Sequence, residues 1–333
     1  MSTTTPTAPA EPERHQDKVP ARRVKVRLGD RIFSGASRGA GIVLLAIMAA
    51  IAVFLVVKAT DALSKNQGGF LTDQAWDPNA AKPAFGVVTL VFGTVVSATI
   101  AMLIAVPVAV GVALFITHYA PRRIAQPLGY VIDLLAAVPS VVYGLWGSIF
   151  LAPKLLGLHD WLSTYLGWIP LFDKEQAGVT ARTLFTVGVV LAIMILPIIA
   201  AVTREIFLQV PRAHEEAALA LGATRWEMIR VAVLPYGKPG IISASMLGLG
   251  RAVGETIAVA MVLSPSFLVS IHILDPGNNT IAANIANQFG ESNEIGRGAL
   301  IASGLVLFVM TLLVNGVARV VINRRKQFSG ANA

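Results

Sequence analysis

Arg251 and Glu255 lie four residues apart in GLGRAVGETIAVAMV, an otherwise apolar run. On a helix that spacing makes them neighbours on one face. A guanidinium presents a planar fork of donors that matches the oxygen geometry of an oxyanion such as phosphate. A carboxylate beside it would orient the fork and temper its grip, because a passage must release what it binds. Gly248, Gly250 and Gly254 leave room for a substrate or a neighbouring helix. The competing reading is a purely structural ion pair, since a lone Arg at mid-bilayer costs about 2.5–3.5 kcal/mol on insertion scales. Asp133, near the inner end of another apolar run, is a third acid; snorkelling or bonding to a loop would explain it equally well.

The elements that must carry these residues are membrane spans. Of the 333 residues 55% are hydrophobic and only 14% charged, against about 25% charged in a typical soluble domain. The deficit is concentrated in Phe85–Thr117, Leu134–Pro153, Thr183–Thr203 and Gly298–Ala318, none of which holds a charge. About 20 such residues cross the hydrocarbon core as a helix. The pattern predicts an all-α integral membrane protein with six transmembrane helices, at 41–57, 85–117, 128–152, 183–203, 240–263 and 298–321. At ~1.5 Å per residue, Arg251 then lies roughly 16 Å beyond Gly240, near the midplane. A long polar stretch precedes the first apolar segment and no clear cleavage site follows it, so it reads as a retained span rather than a secretory signal. Pro107, Pro139 and Pro197 fall inside spans; broken helices often line transport routes, although proline is also common in inert spans.

Lys and Arg orient the chain. With the N-terminus inside, 19 fall on the cytoplasmic side and seven on the outer side, which favours cytoplasmic termini. Residues 1–40 read as a disordered basic cytoplasmic tail. The net charge of +8 suits anionic membrane lipid rather than nucleic acid. Trp76, Trp161 and Trp168 in the outer loops fit an interfacial aromatic belt. The last outer segment, Pro265–Arg297, has room for a short helix around Thr280–Phe289, folded into the outer mouth, meeting a partner, or inert.

The absence of cysteine removes disulfides and thiolate metal sites. The five histidines show no ligand spacing, and no P-loop string occurs, so the chain reads as a non-catalytic subunit that holds neither metal nor ATP itself.

The loop 204–239 is the most informative polar stretch. Pro211 suits a first helical position, and Glu215 and Glu216 favour the positive end of that helix. Gly222 stops it, and Thr224-Arg-Trp-Glu227 has the spacing of a capping box that opens a second helix. Pro235 is expected to end this helix before the chain re-enters the membrane. The product is a rigid helix–Gly–helix elbow that a partner's groove could move as one body; a mere connector would not need two capped helices.

Here the sequence resembles the EAA loop of ABC-importer permeases, with Glu216, Ala217, Ala218, Gly222, Leu234 and Pro235 in place and Ala232 standing where an aliphatic residue is usual. DLLAAVPSVVYGLWG, GLGRAVGETIAVAMV and IANQFGES extend the resemblance to the PstC-type permeases of the phosphate-specific transport system. The resemblance implies the type I ABC-importer permease fold over 85–321, with 204–239 as the loop that couples to an ATPase. It implies a second, PstA-type permease, a PstB-type ATPase dimer carrying ATP and Mg, and a PstS-type extracytoplasmic phosphate-binding protein. It also implies that inorganic phosphate is imported past Arg251 and Glu255 in a bacterial plasma membrane. Rival readings are a permease for molybdate or sulfate, and a secondary anion transporter or channel; the elbow argues against the latter, which has no ATPase to grip it.

Overall fold

A computed structural model describes residues 28–173, 181–267 and 269–326. Residues 1–27, most of the expected disordered tail, lie outside the described residues. The other tail residues, 28–40, are helical: α1 runs Leu28–Lys65, well beyond the apolar segment 41–57. The chain forms two compact units, Met1–Ile51 and Ala52–Ala333, and the second contains every candidate site residue.

At the centre of that second unit is α6 (Leu184–Leu208), packed between α2 (Val88–Leu114) and α9 (Leu234–Val253). Ala98, Ala101, Ala105, Ala109 and Ala113 recur at three or four residues along α2 and are all buried. Side chains this small let two helix backbones approach closely. Leu184, Leu191, Ile195 and Ile199 of α6 fill the same core. Pro107 and Pro197 sit inside unbroken helices, so neither marks a break.

Two expected spans are interrupted. The one placed at 128–152 is α3 (Arg122–Ala136), then a break ahead of Pro139, then α4 (Ser140–Trp146) running on into α5 (Ala152–Leu166). Proline disfavours the helical conformation in the residue before it and cannot donate to the preceding turn, so α3 stops short of Pro139. The span placed at 240–263 is α9, a link at Gly254–Thr256, and α10 (Ile257–Val262). The short halves α4 and α10 pack together, and a Cβ on Gly144 would stand 2.7 Å from Ala258 Cα. Among the described residues, five helices are long and apolar enough to cross a membrane: Gly29–Lys65, Val88–Tyr119, Ser140–Leu166, Leu184–Leu208 and Glu294–Val320. The interrupted α9–α10 segment is not among them.

At the end of the bundle away from 204–239, α11 (Ile281–Gln288) lies against α2, and α12 (Glu294–Lys326) follows it. The Ile281 amide donates to Thr94 Oγ1 at 3.0 Å, and the Asn279 carbonyl fills the space beside Gly93. The segment is therefore folded into the bundle rather than inert. Trp76, in a two-residue strand pairing with Ala84–Phe85, is buried; it stacks on Phe267 and donates from Nε1 to Gln288 Oε1 at 2.7 Å. It belongs to a local core, whereas Trp161 and Trp168 are exposed as a belt requires.

Three turns are widened in the same way. The amides of Ala120, Ala152 and Leu234 each bond to the carbonyl five residues back, on Phe115, Gly147 and Ile229, and each precedes a proline. Where the helix runs on through Pro153 and Pro235, the proline ring would clash with the carbonyl four residues earlier. Widening the preceding turn moves that carbonyl aside. Pro235 therefore does not end a helix as expected, because the π-turn Ile229–Val233 carries the chain straight into α9.

Candidate functional site

Arg251 stands in the last turn of α9, where a cation meets the negative helix end. Two residues later the helix stops, with Gly254 at φ −90°. Glu255 is consequently not an i, i+4 neighbour on a continuous helix. Its Oε1 accepts from the Ala258 amide at 3.1 Å and so caps α10. Among the described residues no ion pair joins it to Arg251. This corrects the same-face pair expected from spacing: the two charges serve opposite helix ends across one link.

The nearby glycines divide in role. Gly248 lets α9 settle on α6, since a Cβ there would stand 2.6 Å from Ile199. Gly250 faces open space and lines an apolar cavity of about 170 Å³ with Val95, Leu249, Val253 and Thr311. Tyr143 of α4, within electrostatic reach of Arg251, donates from its hydroxyl to the Leu135 carbonyl at 3.0 Å. Residue spacing alone gives this tyrosine no role; the one signal for it in the sequence is its place just after Pro139. No group of His, Asp or Glu suited to a metal ion occurs among the described residues.

Asp133 belongs elsewhere. Its Oδ2 accepts from Arg204 Nη2 at 3.2 Å, and Glu205 accepts from the same guanidinium at 2.8 Å. A Cβ on Gly129 would meet Arg204 Nη1 at 2.5 Å, so α3 and α6 are tied where glycine leaves room for the arginine.

The elbow is built as two capped helices. α7 runs Arg212–Ala220, so Pro211 is its N-cap and not, as expected, its first helical residue. Gly222 closes it at φ +86°, a conformation that favours glycine. The Gly222 amide donates to Leu219 and the Ala223 amide to Ala218, the paired bonds of a Schellman end. Thr224 and Glu227 then cap α8 (Arg225–Met228) reciprocally. Those bonds from the Thr224 amide and hydroxyl hold the Glu227 carboxyl below its usual range. Glu216, Ala217 and Gly222 are exposed, whereas Ala218 and Leu234 pack against a cluster of Phe207, Met228 and Ile229. Pro235 is exposed and lies in the first turn of α9.

The family model for the binding-protein-dependent transport system inner membrane component matches residues 105–327, a stretch that contains both the elbow and the broken span. This chain belongs to that family. It is 46% identical to the "Phosphate transport system permease protein PstC 2" of Mycobacterium tuberculosis, over 92% of this chain and 94% of the relative. A PstC relative from Xylella fastidiosa is 42% identical, over 86% and 91%. A chain of the MetNI methionine ABC transporter superposes with a TM-score of 0.52 at 16% identity, covering 72% of this chain and 95% of that one. That likeness bears on the fold alone: the chain has the helical fold of an ABC-importer permease.

Proposed function

We propose that this chain is the PstC-type permease subunit of an ATP-driven importer that carries inorganic phosphate into the cytoplasm. The observation that carries the reading is the near-full-length identity to relatives named as phosphate permeases. A separate ATPase dimer grips the elbow through Glu216 and its exposed neighbours, and Ala217, Ala218 and Gly222 give the elbow its shape. Leu234 and Pro235 join it to α9. A second, PstA-type permease completes the passage, and a PstS-type binding protein delivers phosphate outside. The 19-to-seven distribution of Lys and Arg supports six spans with both termini in the cytoplasm.

In this reading Arg251 offers its fork to phosphate at the break between α9 and α10. Glu255 holds the far side of the break by capping α10, and Tyr143 lines the approach from α4. A second permease helix facing Gly250 and Thr311 would enclose the passage. The test is reconstitution with the partner subunits in proteoliposomes: phosphate uptake requires internal ATP, and molybdate or sulfate competes poorly. Uptake of sulfate in place of phosphate, or uptake without ATP, overturns the proposal.

A further inference from the structure

His118 lies in the π-turn Phe115–Tyr119 at the end of α2, and its side chain is only 9% exposed. Its Nδ1 is 2.6 Å from Thr117 Oγ1, a hydroxyl that also lies 2.8 Å from the Ala113 carbonyl. The ring meets Phe207 of α6 edge-on, with centroids 6.3 Å apart. Its Nε2 faces Glu215 Oε1 of α7 at 3.5 Å. The two adjacent acids of the elbow thus face different ways, Glu215 toward the bundle and Glu216 toward solvent.

Much of the joint between elbow and bundle is apolar, with Leu114, Phe207, Val210, Met228, Ile229 and Val233 in one cluster, and His214 of α7 meets Tyr236 of α9 edge-on. Apolar contact resists separation but is non-directional, so it does little to stop one surface sliding over another. A polar pair at the edge of such a joint adds a preferred alignment.

We propose that His118 is a positioning residue that fixes the elbow to α2 through Glu215, so that displacement of the elbow reaches α2 instead of being lost as sliding. The inference rests on the coupling role given to the elbow above. The elbow's two acids then act separately, Glu216 meeting the ATPase and Glu215 handing the motion to the bundle.

The test uses the complete importer in proteoliposomes and reads phosphate imported per ATP hydrolysed. His118→Leu and Glu215→Leu are each expected to lower that ratio by up to about fivefold, the upper end for a partly exposed polar pair, while ATP hydrolysis and subunit stoichiometry persist. The double variant should fall no further than the worse single, because both remove one contact. His118→Gln keeps a side-chain nitrogen that can donate toward Glu215 and should stay within about twofold of the parent. Because His118→Leu sets an apolar group against the half-buried Thr117 hydroxyl and can lower folded yield, Glu215→Leu and Glu215→Gln repeat the comparison from the more exposed side. Unchanged ratios in the single variants, losses that multiply in the double, or a His118→Gln no better than His118→Leu would overturn the assignment. A parent complex without ATP-dependent uptake would instead defeat the functional reading.

Discussion

The carboxylate of Glu255 receives the Ala258 amide at 3.1 Å, so it caps the first turn of α10 from the residue before its N-cap, Thr256. On the other side of the three-residue link, Arg251 occupies the last turn of α9. An anion at a helix start and a cation at a helix end are both favoured by the backbone dipoles. Each charge therefore has a stabilising role that does not depend on the other. That independence allows Arg251 to engage an anion without first breaking an ion pair.

Arg251→Ala is expected to abolish phosphate uptake while membrane abundance stays near that of the parent. Arg251→Lys should retain partial uptake at best, because a point charge cannot reproduce a bidentate fork. Uptake by Arg251→Ala at the parental rate would remove this residue from the passage.

For Glu255 the expected loss is one of stability. Gln retains a carbonyl oxygen that can accept from Ala258, so Glu255→Gln should accumulate and melt like the parent. Ala removes the cap, at about 1 kcal/mol. Thermal melting of both variants in detergent decides the matter: equal midpoints for Ala and parent would exclude the capping role.

Within the elbow, Gly222→Ala forces a side chain into φ +86° although no atom crowds it. The strain is purely in the backbone and amounts to about 1–2 kcal/mol. ATPase binding should weaken, and Glu216→Lys should uncouple hydrolysis from uptake without altering the yield of folded protein. Normal coupling in Glu216→Lys would show that the exposed acid is not the ATPase contact.

The Glu227 carboxyl is held low by its bonds from Thr224. Its folded value lies below the unfolded one, so the capping contribution is complete above about pH 4.5 and is lost as pH falls through the lower folded value. Limited proteolysis of the elbow should accelerate on acidification through that window, and Glu227→Gln should flatten the dependence. A parental profile in Glu227→Gln would contradict this.

Orientation can be read with single cysteines, since the chain has none of its own. Glu291 and Leu221 are both exposed. In intact cells Glu291→Cys should react with an impermeant thiol reagent and Leu221→Cys should not. The opposite labelling would invert the topology.

The features legible in the sequence depend on short-range chemistry. The capping box at Thr224–Glu227, the stop at Gly222 and the helix after Thr280 each rest on a local hydrogen bond or a single φ angle, and each stands where expected. The break at Gly254 is hidden, because an apolar run of suitable length reads the same whether or not its middle unwinds. Pro235 misleads for the opposite reason: a local rule that usually ends helices is offset by a widened turn upstream. The contacts His118–Glu215 and Arg204–Asp133 join residues distant in the chain, and no periodicity could have paired them.

The π-turn at Ile229–Val233 has a consequence for how the elbow is aimed. Successive residues of a helix advance by about 100° around its axis. One residue fewer in this turn would swing the whole elbow through roughly that angle relative to α9, with every cap and apolar contact inside it intact. The azimuth at which Glu216 points away from α9 is therefore encoded as a residue count. Single-residue deletions there should behave as steering errors, producing an elbow that is well folded and points the wrong way.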